Sequence, residues 1–119
     1  MYKHYKLEKK EDFQRVFKQN KSLKDRFWLI LYRPNGLEAA RLGTAVSKKN
    51  VNQAVQRNRI KRIIRETFRK NRAELAGVDV VVLVRRGICE KTNPKLNATI
   101  TKQWHALIQE REKKSGTNR

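Results

Sequence analysis

The chain has 119 residues, which is enough for one domain with one modest core. Thirty lysines and arginines against 11 aspartates and glutamates give a formal net charge of +19 at pH 7. Such self-repulsion favours a polyanionic partner, and we expect a nucleic acid. The longest apolar run, Phe27 to Tyr32, is too short to span a membrane, so no membrane partner is expected.

The amino-terminal segment and the cysteine content indicate a cytoplasmic protein. Residues 1–6 are basic, but no apolar stretch follows them, so the hydrophobic part of a secretion signal is lacking. Cys89 is the only cysteine, which excludes an internal disulfide and leaves no cysteine cluster for a metal.

The first part of the chain predicts one short helix and two strands. Between Lys9 and Asn20, three apolar residues have the i, i+3, i+4 spacing of one helix face: Phe13, Val16 and Phe17. The segment from Phe27 to Arg33 is aromatic and branched and ends at the turn signal Pro34-Asn35-Gly36, so it predicts a strand. A second strand, Arg41 to Ser47, follows this turn.

The second part predicts a long helix, a buried strand and a final helix. The long helix runs from Val51 to Arg72 without glycine or proline, and the strand from Val78 to Arg85 is nearly continuous in branched residues. In the final helix, apolar residues recur at helical spacing: Leu96, Ile100, Trp104, Leu107 and Ile108. Residues 109–119 form a basic tail that we expect to fray and to be mobile.

This order of elements predicts an α/β (α+β) two-layer sandwich, in which a small mixed sheet packs against helices in the order α-β-β-α-β-α. We expect residues 1–119 to form a single nucleic-acid-binding domain with a structured core at about 7–108.

The long helix is the electrostatic centre of the chain. Residues 41–72 contain eleven lysines and arginines and one acid, Glu66. One helix face is predicted to pack: Ile60, Ile63, Ile64, Thr67 and Phe68. The opposite face is polar and basic: Asn58, Lys61, Arg62, Arg65, Arg69 and Arg72. Such a face can simply be solvated, but like charges without acidic neighbours favour RNA or DNA across them.

The segment from Ser47 to Glu66, with the motif Arg57-Asn58-Arg59, strongly resembles the signature of bacterial ribonuclease P proteins. Glu11 to Phe17 and Arg41-Leu42-Gly43 extend the resemblance, which covers roughly residues 7–108. It implies an α/β sandwich in which the long helix joins parallel strands by a left-handed crossover. General chirality rules alone predict a right-handed one.

The resemblance implies two RNA partners, the catalytic RNA subunit of ribonuclease P and precursor tRNA. We expect nine residues to face the RNA subunit: Lys48, Lys49, Arg57, Asn58, Arg59, Lys61, Arg62, Arg65 and Arg69. The resemblance also implies a cleft in which Phe13, Phe17 and Tyr32 hold the single-stranded 5′ leader, because unstacked bases can lie on aromatic faces. Trp28 shares the strand face of Tyr32 and extends this platform or is buried. Phe13 and Phe17 have a second interpretation as a core-facing stripe.

No catalytic group, metal site or protein partner is predicted in the chain itself. His4 and His105 have no evident partner, and the adjacent Glu11 and Asp12 point about 100° apart on a helix. The resemblance implies that the RNA subunit removes the leader and leaves a 5′ phosphate on the tRNA. The resemblance further implies that the RNA subunit uses magnesium, which is bound mainly by the RNA partners. The protein is expected to lower the magnesium requirement and to broaden substrate use.

Two other classes share the charge and size of this chain. A small ribosomal-type structural protein would bind RNA but would have no reason to prefer precursor tRNA over mature tRNA. A DNA-binding regulator would insert the long helix into a major groove, although no short turn-helix partner is evident.

Overall fold

The computed structural model describes residues 5–117, with the side chains of residues 5–111. His4 and the last two residues of the predicted tail lie outside this range. Within it, the elements in chain order are α1 (Lys10–Lys18), β1 (Lys21–Lys24), β2 (Trp28–Pro34), β3 (Arg41–Ala45), α2 (Ala54–Asn71), β4 (Val78–Val84), a short 3-10 helix (Ile88–Glu90) and α3 (Asn93–Thr117).

The four strands form one mixed sheet in the order β1-β2-β4-β3. β1 and β2 pair antiparallel, as do β2 and β4, whereas β3 and β4 are parallel and are joined through α2. The predicted α+β class with a small mixed sheet is therefore confirmed. The handedness of the crossover through α2 stays a prediction from the resemblance.

Alternating side chains give the sheet two apolar faces. On one face, which we call the inner face, Trp28, Ile30, Val80 and Val82 belong to the main core with residues of α2 and α3. On the other face, which we call the α1 face, Val81 packs with Leu7 of the amino-terminal segment and Val16 of α1. The central strand β4 is buried from both sides, as its run of branched residues predicts.

The apolar stripe of α2 packs as predicted. Ile60, Ile63, Ile64, Thr67 and Phe68 are all buried. The indole Nε1 of Trp104 on α3 donates a hydrogen bond to the Thr67 hydroxyl at 2.8 Å, and the Phe68 ring lies edge-on to Trp104 with a centroid distance of 5.7 Å. These contacts join α2 to α3 over the inner face.

The structure departs most from the sequence prediction in one missed strand and at one end of each of two helices. β1 was not predicted, because Lys21-Ser22-Leu23-Lys24 holds one apolar residue and pairs only along one edge, where charged side chains are common. α2 begins at Ala54 and not at Val51, whose N–H instead closes a turn on the carbonyl of Ser47 at 2.9 Å. α3 continues to Thr117, into the tail that was expected to fray. The mobility of residues 109–119 stays a prediction.

A buried ionic network connects α1 to the sheet. Asp79 on β4 is 3% exposed and accepts two hydrogen bonds from the Arg41 guanidinium, at 2.8 and 2.7 Å. Arg41 also reaches Asp12 of α1 at 3.5 Å, and the Asn35 amide donates to Asp79 at 2.9 Å. Hydrogen bonding to Asp79 is the main reason that the pKa of Arg41 is raised. One cation thus compensates two buried carboxylates.

Replacing Arg41 with methionine should lower the free energy of unfolding by about 3–5 kcal/mol, because it leaves the buried carboxylate of Asp79 without a cation, whereas Asp12 keeps its pair with Arg15. Arg15→Met is the matched control, since the Arg15 side chain is 60% exposed and pairs with Asp12 at the surface. It should cost less than about 1 kcal/mol. Urea denaturation of both variants measures the difference, and equal losses would contradict a special role for Arg41.

Candidate nucleic-acid interface

The polar side of α2 forms an exposed basic surface. Asn58, Arg62 and Arg69 are exposed along it, and Lys61 and Arg65 are half-buried. No acidic residue lies in the first turn of α2, and its N-cap residue Gln53 makes no side-chain capping bond. The exposed Lys48 and Lys49 lie in the turn just before this helix end, whose N–H groups favour anions. We call these exposed and half-buried residues the α2 surface.

The two arginines of the Arg57-Asn58-Arg59 motif turn toward the protein. The Nη1 group of Arg57 donates to the carbonyls of Val51 and Asn52 at 2.9 and 3.1 Å, which holds the segment before α2 against the helix. Asn58 between them is exposed. The motif therefore combines one outward polar residue with two residues that bind the chain's own backbone.

Arg59 has the larger set of internal contacts. Its Nε donates to Gln56 at 2.9 Å, its Nη1 to the carbonyl of Lys91 at 3.2 Å and to the Asn93 side chain, and its Nη2 to the carbonyl of Cys89 at 3.2 Å. The guanidinium thereby fixes the start of α2 to the connection between β4 and α3. These bonds use four of the five N–H donors of the guanidinium, so Arg59 stabilises the fold, and its predicted contact with RNA stays a prediction.

A second basic area was missed by sequence reasoning. Arg26, Lys49, Arg85 and Arg86 line a concave surface where β4 ends beside the turn that precedes α2. The Asn50 amide donates to the carbonyl of Val84 at 3.0 Å and fixes this turn to β4. Arg26 and the Arg85-Arg86 pair lie on separate loops, so only the fold brings them beside Lys49. The pair of arginines directly after a buried strand was the available signal.

Beside the first helix, the α1 face carries half-buried apolar side chains, and we call this surface the cleft. Phe13 lies so close to the backbone of Gly43 that a Cβ there would approach its ring to 2.6 Å. The side chains of Leu31, Ala45 and Leu83 pack against the small core of this face and are half-buried. Phe17, one turn farther along α1, is 47% exposed. Phe13 is thus partly a core residue, whereas Phe17 presents an aromatic face to solvent.

Tyr32 does not join this cleft, and for Trp28 the structure favours the second of the two predicted alternatives, burial. Trp28 is fully buried in the main core, where its indole Nε1 donates to the Thr99 hydroxyl at 2.9 Å. Tyr32 packs against the same core and so lies on the inner face. The β2 residue at the cleft is Leu31. A strand pattern separates two faces but does not tell which of them a distant helix covers.

Among the described residues, no group of three or more histidine, cysteine, aspartate or glutamate side chains could hold a metal ion. The buried carboxylates of Asp12 and Asp79 are both engaged with Arg41. His105 is exposed on α3, and Cys89 is a half-buried free thiol.

Comparison with known proteins identifies the family. The family model described as Ribonuclease P matches residues 1–108. The chain belongs to the Ribonuclease P family. The "Ribonuclease P protein component" of Pseudomonas aeruginosa strain LESB58 is 52% identical over 83 residues, which are 70% of this chain and 62% of that one. The chain therefore spans about 62% of the length of the first such relatives.

Solved ribonuclease P proteins have the same fold. The Staphylococcus aureus RNase P protein superposes with a TM-score of 0.76 at 33% identity, covering 81% of this chain and 88% of that one. The Thermotoga maritima RNase P protein gives a TM-score of 0.74 at 32% identity, covering 83% and 94%.

The contacts of Arg59 predict that its side chain stabilises the fold. Arg59→Ala should lower the free energy of unfolding by about 1.5–3 kcal/mol, because two backbone carbonyls and two side-chain oxygens lose a charged donor. Arg59→Lys should also destabilise the protein, since an ammonium cannot reproduce the planar fork. The exposed Arg62→Ala is the control and should change stability by no more than about 0.5 kcal/mol in the same urea titration.

Proposed function

We propose that this protein is the protein component of ribonuclease P, which assists removal of the 5′ leader from precursor tRNA. The observation that carries the proposal is the combination of two dissimilar surfaces in a chain of this family. The α2 surface is basic, and the cleft beside Phe17 on the other face of the sheet is apolar and aromatic. One surface suits a folded polyanion and the other suits unpaired bases.

The α2 surface is proposed to bind the catalytic RNA subunit. Arg62 and Arg69 can bind phosphate with two parallel hydrogen bonds or stack on a base, and Lys48 and Lys49 add charge at the helix end. The concave surface at Arg26, Arg85 and Arg86 extends this positive area around the end of β4. Neutralising these residues relieves self-repulsion in the protein and between the two RNA partners.

The cleft on the α1 face is proposed to hold the leader. The exposed ring of Phe17 offers a stacking platform, and the floor of Leu31 and Leu83 excludes water from the underside of a base. Stacking requires no particular base, which suits a leader whose sequence varies among precursors. Mature tRNA has no leader and would lose these contacts, so the product would bind less tightly.

The chemistry is proposed to belong to the RNA subunit. The described side chains do not fit a magnesium site of their own, so the ions are proposed to be held mainly by the RNA partners. Magnesium ions bound in the RNA would activate water and neutralise charge on the reacting phosphate. The protein contributes positioning and charge, which lowers the magnesium concentration that the RNA requires and broadens the range of precursors. Protein alone should not cleave.

A cytoplasmic location is part of the same proposal, since precursor tRNA would be met there. In residues 5–117, no helix has the length and apolar character needed to cross a membrane.

Reconstitution tests this function directly. At low magnesium, a bacterial ribonuclease P RNA, this protein alone and the two together would be incubated with precursor tRNA. We expect cleavage only by the combination, with a 5′ phosphate on the tRNA. Cleavage by the protein alone would contradict RNA catalysis. Absence of stimulation would favour the ribosomal-type structural role.

Phe17→Ala should weaken binding of precursor tRNA to the reconstituted complex by about 1–3 kcal/mol, because one stacking face is lost. Binding of leaderless tRNA should not change. Phe17→Trp is the matched control and should retain precursor affinity, since it keeps an aromatic face. If the alanine variant loses affinity equally for precursor tRNA and for leaderless tRNA, Phe17 has only a structural role.

A further inference from the structure

A separate pocket opens at the end of β2, on the inner-face side of the sheet. Its volume is about 440 Å³, and its charged and aromatic lining consists of Lys21, Tyr32, Arg33, Glu110 and Arg111. The remaining wall is formed by the residues that follow α1 and by the start of β4. We call it the Tyr32 pocket. Neither the α2 surface nor the cleft beside Phe17 includes it.

The aromatic wall of this pocket is fixed in place. The Tyr32 ring packs against the main core and is half-buried, so it offers one face and its hydroxyl to the pocket. Burial, aided by the carboxylate of Glu110, raises the pKa of the Tyr32 phenol. The hydroxyl is therefore a neutral hydrogen-bond donor at physiological pH.

The charged lining favours an anion. Lys21, Arg33 and Arg111 contribute three cations against the single carboxylate of Glu110. Backbone acceptors hold both arginines: Arg33 donates to the carbonyl of Arg15 at 3.4 Å, and Arg111 donates to the carbonyl of Glu74. A flat ring beside positioned cations suits a ligand with a planar base and a phosphate. Glu110 repels phosphate, so the base and not the phosphate should face it.

The Tyr32 pocket adjoins the cleft beside Phe17. Residues 19 and 20 directly follow α1 and line the pocket. The Asn20 amide donates to the carbonyls of Val16 and Phe17 at 2.7 and 3.2 Å, which fixes this corner against the last turn of the helix. The Arg33 side chain extends from β2 to the carbonyl of Arg15 in α1. A single strand lying on Phe17 thus has a short, positively charged path into the pocket.

We propose that the Tyr32 pocket binds one unpaired nucleotide of the precursor leader, next to the nucleotides held beside Phe17. The base stacks on Tyr32, and its phosphate pairs with Lys21 and Arg33. This inference rests on the proposed leader-binding function and extends the leader site around the edge of the sheet. A nucleotide at this position is reached only by leaders long enough to pass Phe17.

Precursors with leaders of increasing length test the pocket in the reconstituted complex under conditions that prevent cleavage. Ala76→Phe fills the pocket, and Lys21→Glu reverses a charge at its exposed rim without altering the core. Both variants should lose about five- to 20-fold in affinity for long leaders only, which corresponds to one stacked nucleotide. Lys102→Glu, an exposed position on α3, is the charge-matched control and should bind as the unaltered protein does.

The failure of this proposal can be separated from failure of the proposed function. Phe17→Ala should reduce the benefit of short and long leaders alike. If Phe17→Ala has this effect while both pocket variants keep the full gain from long leaders, the pocket proposal is overturned and the cleft remains. If neither Phe17→Ala nor either pocket variant changes how the binding affinity depends on leader length, both the pocket proposal and the proposed leader-binding function fail. Thermal unfolding of each variant shows whether a loss reflects misfolding, and Lys21→Glu decides the result if Ala76→Phe does not fold.

Photocrosslinking identifies the source of the nucleotide. A photoreactive thiouridine would be placed at successive leader positions, and crosslinked peptides would be identified by mass spectrometry. We expect one leader position to crosslink to the peptide that contains Tyr32 and a neighbouring position to crosslink to the peptide that contains Phe17. If leader positions crosslink to the peptide that contains Phe17 but none crosslinks to the peptide that contains Tyr32, the pocket proposal is overturned.

Discussion

Strand β4 sets the position of every functional surface, because it is buried on both of its faces. Val80 and Val82 face the core beneath α2 and α3, and Val81 supports the core beneath α1. Its neighbours β2 and β3 hold it in the centre of the sheet. A displacement of this one strand would therefore move the basic helix and the apolar cleft together. Because both surfaces are attached to this strand, the sheet sets their separation, as the proposed binding of two RNA partners at once requires.

The large positive charge does not enter the interior of the protein. The two nearly buried aspartates, Asp12 and Asp79, are both engaged by Arg41, and no buried side-chain nitrogen or oxygen among the described residues lacks a hydrogen-bond partner. The remaining lysines and arginines lie mostly at the surface, where water screens them. Folding therefore tolerates the surplus of charge, whereas binding to a polyanion gains from its neutralisation.

Sequence patterns predicted those features that depend on local periodicity. The apolar stripe Ile60, Ile64 and Phe68 and the buried run of β4 follow from the geometry of a helix and of a strand. The assignment taken from the resemblance failed at β2, where Tyr32 was expected in the cleft and Trp28 in the cleft or the core, but both side chains lie on the inner face. Alternation correctly placed these two residues on one face, but only the packing of α1 on Gly43, far away in the chain, determines which face is the cleft. The cluster at Arg26, Arg85 and Arg86 was not predicted from the sequence, because it also forms only when distant segments come together.

Arg59 and Arg62 show why charge counts overestimate a binding surface. They lie three residues apart on the same helix, and the resemblance predicts an RNA contact for both, although helical spacing places only Arg62 on the polar face. The chain after β4 passes Arg59 and offers it the carbonyls of Cys89 and Lys91, whereas Arg62 is exposed. An arginine with such acceptors acts as a connection between segments, because its planar guanidinium can bind several carbonyls at once. The two arginines of the motif thus have a structural role. Arg59 holds the starts of α2 and α3 together, so that exposed Asn58 and Arg62 keep one orientation toward a bound partner.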